Sequence, residues 1–207
     1  MSEPAISPQR PALIVIDVQR GFDDAQYWGP RDNLDCERNI STLLAHWRDR
    51  QWPVVFVQHD SGDPDSPLAP ASAGHEFKDV VTGSPDVLVR KSVNSSFYGT
   101  PDLDHWLRSK GIEQVVICGI TTNHCCETTA RMAGNLGYET YFAIDATHTF
   151  DRASPEGETV CAATLSTITA TNLGGEFATV LRTAALLDVL AGPGAEQAQD
   201  PRGHGSS

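Results

Sequence analysis

The sequence predicts a single-domain α/β protein, in which a mostly parallel six-stranded sheet carries helices on both faces. Short apolar, β-branched segments without polar alternation are typical of strands buried on both faces. These segments alternate with segments of helical periodicity, as in parallel sheets with helical crossovers. The chain has 207 residues, enough for one full core. We therefore expect a three-layer, Rossmann-like fold.

Six segments have the composition of buried strands. The first is an apolar run that ends at Asp17, and the second follows Pro53. The third ends just before Lys91, and the fourth ends at Gly119. The predicted strands cover residues 12–17, 54–57, 87–90, 115–118, 140–144 and 177–181.

Helices are predicted between these strands. The clearest covers residues 35–51, where Ile40, Leu43, Leu44 and Trp47 recur at helical spacing. Glycines that favour helix ends follow two others. The remaining predicted helices cover residues 102–110, 123–136 and 156–170, with a closing helix that ends at Leu190.

Three segments lack periodicity. Residues 60–85 are rich in Gly, Pro, Ser and Asp, and a loop of this length is often a functional cover. Residues 1–10 are expected to form an irregular lead-in to a domain that covers residues 11–190. Residues 191–207 are small, polar and rich in Gly, which predicts a disordered tail.

Composition argues against several functions. The net charge is −12 without a Lys/Arg cluster, so nucleic-acid binding is not expected. The chain has neither an apolar stretch long enough to cross a bilayer nor a secretory signal, so we expect a cytoplasmic protein without a membrane partner. An odd number of cysteines without regular spacing indicates reduced thiols: Cys36, Cys118, Cys125, Cys126 and Cys161.

Chemically capable side chains follow four of the predicted strands. Asp17, residues 58–60, Lys91 and residues 119–125 should meet, because ligands of such folds bind beyond the carboxyl ends of the strands. Cys125 is expected in the first turn of a helix, where unpaired N–H groups and a nearby lysine favour a thiolate.

Each of these residues also has a simpler interpretation. Cys125, like most free cysteines, is suited to be a small buried core residue. Asp17 is equally suited to cap a turn or pair with Arg20, and Lys91 to be an exposed lysine. The alternative functional interpretation makes Asp17 a base that takes the thiol proton and Lys91 the cation that keeps Asp17 ionised.

Three motifs together resemble the isochorismatase-like cysteine hydrolase family, which includes nicotinamidases, carbamoylsarcosine amidase-like enzymes and streptothricin hydrolase. The motifs are DVQRGF at 17–22, KSVNSSFYGT at 91–100 and GITTNHCCETTAR at 119–131, and the resemblance runs from about residue 11 to 190. It implies a catalytic triad of Asp17, Lys91 and Cys125. It also implies a cis peptide bond before Thr121, an oxyanion hole of the Thr121 and Cys125 backbone N–H groups, and a homo-oligomer, either dimer or tetramer.

The chain departs from the family pattern in two places. Cys126 stands where an aliphatic residue is usual; because helix neighbours point about 100° apart, only one of the two cysteines faces the pocket, and the motif register selects Cys125. Nicotinamidases carry Asp-x-His for a metal, whereas this chain has His59 and Asp60 with a distant His75. These three side chains are zinc-ligand types, but their spacing does not match, and we expect no metal and no cofactor.

The predicted function is cleavage of a C–N bond in a small-molecule amide, carbamoyl compound or lactam through a thioester. Isochorismatases proper hydrolyse a vinyl ether without the cysteine, so Cys125 favours the amidase interpretation. Residues 145–152 and 172–178 look most like the carbamoylsarcosine amidase-like and streptothricin hydrolase branch. A vinyl-ether hydrolase and a non-catalytic binding protein remain alternatives. Position suggests these substrate-binding residues: Gln19, Phe22, Tyr27, Trp28, His59 and His124.

Overall fold

The computed structural model describes residues 10–191, and a parallel six-stranded sheet forms its centre. The strand order is β3-β2-β1-β4-β5-β8, and every neighbouring pair is parallel. The strands of this sheet are β1 (Ala12–Ile16), β2 (Val54–His59), β3 (Val87–Lys91), β4 (Gln114–Ile120), β5 (Glu139–His148) and β8 (Thr179–Leu181), and a separate hairpin contains β6 (Arg152–Ala153) and β7 (Thr159–Val160). The predicted fold class is confirmed.

Strand β1 is buried on both faces because helices cover both sides of the sheet. Leu13 and Val15 belong to one apolar cluster, whereas Ile14 and Ile16 belong to the other. This alternation explains why the strand reads as a continuous apolar run.

The helices divide between the two faces. They are α1 (Ala25–Trp28), α2 (Cys36–Asp49), α3 (Leu103–Ser109), α4 (Glu127–Asn135), α5 (Ala162–Leu173) and α6 (Thr183–Ala191). Helices α2 and α6 contribute Trp47 and Leu186 to the first apolar cluster. Helices α3, α4 and α5 contribute Leu107, Ala130 and Leu173 to the second.

The predicted helix over residues 156–170 begins later than expected. Residues before it form the β6–β7 hairpin, in which Arg152 pairs with Val160 and Gly157 takes a φ of 88°. The Asp151 carboxylate accepts a hydrogen bond from the Ala162 backbone N–H at 2.8 Å, which sets the start of α5. The side chain that determines the helix start thus lies eleven residues upstream.

The other elements are close to their predicted positions. Strand β5 is longer than predicted and passes through a register shift opposite residues 117–119 of β4. Strand β8 is shorter than predicted. Residues 60–85 contain one short 3-10 turn, Ala73–His75. The predicted lead-in apart from Arg10, and the predicted tail after Ala191, lie outside the described residues.

The strand order reverses between β1 and β4. Chain segments that leave these two neighbouring strands diverge, which opens a crevice at their carboxyl ends. Ile16 of β1 lies in register with Val57 of β2 and with Gly119 of β4, while His59 lies beside Lys91. Among residues 10–191, no helix has the length and apolar character to cross a membrane.

Candidate active site

An ion pair between Asp17 and Lys91 lies at the bottom of this crevice. The Lys91 Nζ donates to Asp17 Oδ2 at 2.5 Å, and both side chains are 0% exposed. Burial by itself lowers the pKa of Lys91, but the charges of Asp17 and then Cys125 outweigh it, and the net pKa is raised. Lys91 is therefore a charged, buried residue, and its interpretation as an ordinary exposed lysine is wrong.

Cys125 reaches the pair from a tight turn after β4. The Ile120–Thr121 peptide bond is cis, as the family resemblance predicted. Residues Thr122–Cys126 form a π-helical turn that leads into α4. Cys125 therefore lies just before α4, whereas the sequence placed it in the first turn of a longer helix.

Gly119 is required where β4 enters this turn. Its φ is 131°, and a Cβ at this position would lie 2.1 Å from the Ile16 carbonyl oxygen. A side chain here would separate β4 from β1. The close approach of the two strands keeps the ends that carry Asp17 and Cys125 together.

The Cys125 thiol faces the Asp17 carboxylate. The ligand atoms of Asp17, His59 and Cys125 lie within 4.8 Å of one another. Asp17 Oδ1 is buried and has no hydrogen-bond partner among the described residues. Cys125 Sγ lies 3.6 Å from Asn94 Oδ1. One oxygen of Asp17 therefore pairs with Lys91, while the other makes no hydrogen bond within residues 10–191.

The pKa of Cys125 does not follow the expectation of a ready thiolate. Burial raises the pKa of the thiol strongly, and the Asp17 charge raises it further, while Lys91 only partly compensates. The lysine favours the thiolate, as expected, but burial and the facing Asp17 carboxylate outweigh it. The resting site accordingly contains a protonated Cys125 thiol beside the Asp17–Lys91 pair.

A small cavity opens above the sulfur. Its volume is about 110 Å³. Its lining combines aromatic, apolar and polar groups: Asp17, Phe22, Trp28, His59, Leu68, Asn94, Thr121, His124, Cys125 and Arg152. Burial, followed by the Lys91 charge for His59 and the Arg152 charge for His124, lowers the pKa of both imidazoles, so both rings are neutral at pH 7.

Four of the six predicted pocket residues line this cavity: Phe22, Trp28, His59 and His124. Gln19 does not line it. Its amide donates to the carbonyls of His59 and His75 and accepts from the His59 N–H, so it ties the end of β2 to the loop. Tyr27 is 51% exposed and packs edge-on against Trp28 outside the cavity.

Sequence reasoning missed three lining residues, Leu68, Asn94 and Arg152. Asn94 could have been predicted from the sequence, because it lies three residues after Lys91 in a segment that follows a strand. Arg152 follows β5 in the same way. Leu68 belongs to the long loop, where no periodicity indicates which side chain points inwards.

The long loop covers the site. Leu68 reaches the cavity, and Lys78 donates to Asp23 and Glu37 at 2.7 Å each, which holds the loop against α2. The backbones of Gly21 and Gly74 are in close contact. A Cβ on Gly74 would lie only 2.7 Å from the Gly21 Cα, so this contact requires a residue without a side chain.

Among residues 10–191, the side chains around the cavity do not fit a metal ion. Asp60 accepts from His75 at 2.8 Å and from Arg90 at 2.9 and 3.0 Å, so its carboxylate is already engaged by a cation. The His59 ring instead contacts Lys91, with Nδ1 at 3.2 Å from Lys91 Nζ. A metal beside Asp17, His59 and Cys125 would have to displace the Lys91 ammonium.

Cys126 has a structural position. It is 0% exposed and belongs to the apolar cluster beneath α4. Burial raises the pKa of its thiol well above the ordinary value. The register that selects Cys125 as the pocket-facing cysteine agrees with this geometry.

Comparisons with known proteins agree with the architecture. The Isochorismatase domain family matches residues 11–172. The Bacillus subtilis isochorismatase family protein YrdC is 42% identical over 87% of this chain and 96% of its own length. A Streptomyces noursei streptothricin hydrolase is 33% identical over 90% of this chain and 75% of its own length. Nicotinamidase 3 of Arabidopsis thaliana is 32% identical over 68% of this chain and 74% of its own.

Solved structures give the same result. An isochorismatase family crystal structure from Chromobacterium violaceum has a TM-score of 0.83 and 36% identity, covering 92% of this chain and 99% of its own. A cysteine hydrolase from Pseudomonas syringae has a TM-score of 0.78 and 30% identity over the same shares. The family match, which covers most of the chain, and the shared fold lead to one conclusion: this protein belongs to the isochorismatase family of hydrolases.

Proposed function

We propose that this protein is a cysteine-dependent amidohydrolase that cleaves a C–N bond of a small molecule through a thioester intermediate. The observation that carries the proposal is the position of the Cys125 sulfur beside the Asp17 carboxylate, of which one oxygen pairs with Lys91 while the other has no hydrogen-bond partner among residues 10–191. A nucleophile, a proton acceptor and a fixed cation are the parts that acyl transfer needs.

Acylation begins with proton transfer. Because the resting thiol is protonated, Asp17 Oδ1 takes the proton as the Cys125 sulfur attacks the amide carbonyl. The S–C bond forms, and the carbonyl π electrons move to oxygen. The backbone N–H groups of Thr121 and Cys125 hold this oxyanion. Collapse breaks the C–N bond, and Asp17 gives its proton to the departing nitrogen.

Deacylation reverses the roles. Water attacks the thioester, and Asp17 accepts one of its protons. The S–C bond then breaks, and that proton returns to the Cys125 sulfur as the carboxylic product leaves. Throughout the cycle, the Lys91 ammonium stays in contact with the Asp17 carboxylate and offsets its negative charge.

Two relatives support the reaction class. One solved structure is called a cysteine hydrolase, and one curated relative is called a nicotinamidase, a name that denotes an amide-cleaving enzyme. The cavity of about 110 Å³ favours a small acyl group next to the sulfur.

The test is a panel of small primary amides, ureas, carbamoyl compounds and lactams, read by ammonia or new carboxylate, with Cys125→Ala as the matched control. Hydroxylamine added during turnover should give a hydroxamate by capturing the thioester. A vinyl-ether hydrolase would instead release a carbonyl product such as pyruvate from enol pyruvyl ethers and retain this activity in Cys125→Ala. A binding protein would turn over neither class.

A further inference from the structure

Arg152 is a cation of the cavity that the proposed mechanism does not use. It begins β6 and lines the cavity together with Trp28 and Cys125. One of its terminal nitrogens lies 3.4 Å from His124 Nδ1. Its Nε is buried without a hydrogen-bond partner in the described part of the chain.

Six other arginines among residues 10–191 pair with a carboxylate, whereas Arg152 does not; Arg10, Arg48, Arg50 and Arg182 also lack such a pair but do not line the cavity. Arg90 pairs with Asp60, Arg108 with Asp104, and Arg131 with Glu127. Burial lowers the pKa of Arg152, and no acidic group opposes this effect. A half-buried guanidinium without a counter-ion carries a desolvation cost that an anionic ligand would offset.

The remainder of the cavity supplies no charge to balance Arg152. Asp17 and Lys91 neutralise each other, and the Cys125 thiol is protonated at rest. His59 and His124 are neutral at pH 7, because burial lowers the pKa of both. The guanidinium of Arg152 therefore lines the cavity as a positive charge without a nearby counter-ion among the other lining residues.

Arg152 also lies at the boundary between the cavity and the surface. Together with Trp28 it lines a neighbouring groove of about 390 Å³, which Tyr27, Phe150, Asp151 and Ala153 complete. A substrate whose carbonyl lies at Cys125 would extend a substituent towards this boundary. The planar guanidinium fork there matches a carboxylate in geometry and charge.

We propose that Arg152 binds a carboxylate of the substrate, so that the natural substrate is a small amide that also carries an acid group. The bond cleaved is the one named under the proposed function, on which this inference rests. Arg152 then acts as a specificity-determining residue that sets which end of the molecule faces Cys125.

The test uses alkylating agents that differ only in charge. Iodoacetate is compared with iodoacetamide, and 3-bromopropionate with 3-bromopropanamide. Each reagent is added to the full-length protein at several pH values between 7 and 10, and labelling is measured by peptide mass spectrometry. The readout is the ratio of acid to amide labelling rates at Cys125. Cys161, which is exposed and does not line the cavity, is the internal reference. The variants are Arg152→Gln, Arg152→Lys and the control Arg108→Gln, which removes the same charge far from the site.

Arg152→Gln should lower the ratio at Cys125 by about tenfold for at least one pair, the effect of losing one charge-assisted hydrogen bond. Arg152→Lys should lower it less, and Arg108→Gln and the ratio at Cys161 should not change. An unchanged ratio in Arg152→Gln, an equal fall in Arg108→Gln, or wild-type Cys125 that neither acid reagent labels would overturn the proposal.

Hydrolysis of succinamate and its uncharged counterpart succinamide, read by ammonia, separates the two proposals. If no amide is cleaved but the labelling ratio falls in Arg152→Gln, the proposed function fails and the anion site stands. If amides are cleaved but the labelling ratio does not change in Arg152→Gln, the proposed function stands and the anion site fails.

Discussion

The ammonium of Lys91 lies 2.5 Å from one oxygen of Asp17, and the other oxygen of the same carboxylate has no partner among the described residues. The two oxygens therefore differ in their surroundings: one lies against a positive charge, and in the proposed mechanism the other accepts the Cys125 proton. This asymmetry leads to the predictions below.

The charges of Asp17 and Lys91 should shift the ionisation of Cys125 in opposite directions. Asp17→Asn removes a negative charge that raises the thiol pKa, so alkylation of Cys125 by iodoacetamide should shift to lower pH. Lys91→Met should shift it to higher pH. Both variants should lose amide hydrolysis by at least about a hundredfold. Unchanged labelling profiles in both variants would show that the three residues do not act as a unit.

The two neighbouring cysteines should separate activity from packing. Cys125→Ala should abolish turnover and leave the melting temperature nearly unchanged, because the sulfur lines a cavity. Cys126→Ala should retain most activity but lose roughly 1 kcal/mol of unfolding free energy, since it leaves a void in a closed cluster. Turnover and chemical denaturation of the two variants provide the check. Active Cys125→Ala with inactive Cys126→Ala would reverse the assignment.

Lys91 should contribute stability that depends on pH. Its pKa is raised in the folded protein, so its contribution is complete below the ordinary lysine value of 10.5 and is lost as pH rises through the raised folded value. At pH 7, Lys91→Met should cost about 3 kcal/mol, because it leaves a buried carboxylate unpaired. The measurement is the difference in unfolding free energy between wild type and variant at pH 7, 9 and 11. A difference that grows with pH in this range would contradict the prediction.

Gly119 should be intolerant of any side chain. Gly119→Ala places a Cβ against the Ile16 carbonyl and forces alanine into a φ of 131°. We therefore expect the free energy of unfolding to fall by about 3 kcal/mol and little activity to remain. Gly111→Ala is the matched control, because its φ is also positive, at 66°, but no atom lies near the added Cβ. It should cost roughly 1 kcal/mol. Equal losses of unfolding free energy in the two variants would show that the close contact between Gly119 and Ile16 does not add to the cost of the substitution.

Catalysis should not depend on a metal. Because Arg90 and Lys91 already engage the carboxylates near His59, turnover should survive dialysis against EDTA and dipicolinate. Elemental analysis of the purified protein should find less than stoichiometric zinc, iron or manganese. One tightly bound ion per chain, with activity that disappears on its removal and returns on its addition, would overturn this expectation.

The sequence alone determined the layer architecture and the order of the site. Apolar β-branched runs such as residues 12–17 specify buried strands, and the carboxyl ends of parallel strands share one edge. Asp17, Lys91 and Cys125 could therefore be placed near one another before their distances were known. The motif register, rather than local chemistry, distinguished Cys125 from Cys126.

Tertiary structure decided what depends on burial and on contacts between distant segments. Gln19 and Arg152 are both polar residues near strand ends, yet Gln19 binds backbone carbonyls while Arg152 lines the cavity without a carboxylate partner among residues 10–191. The protonation of Cys125 likewise follows from desolvation and from a carboxylate more than a hundred residues away along the chain. The local sequence predicts neither these contacts nor this protonation state, because both depend on groups that only the folded chain brings together.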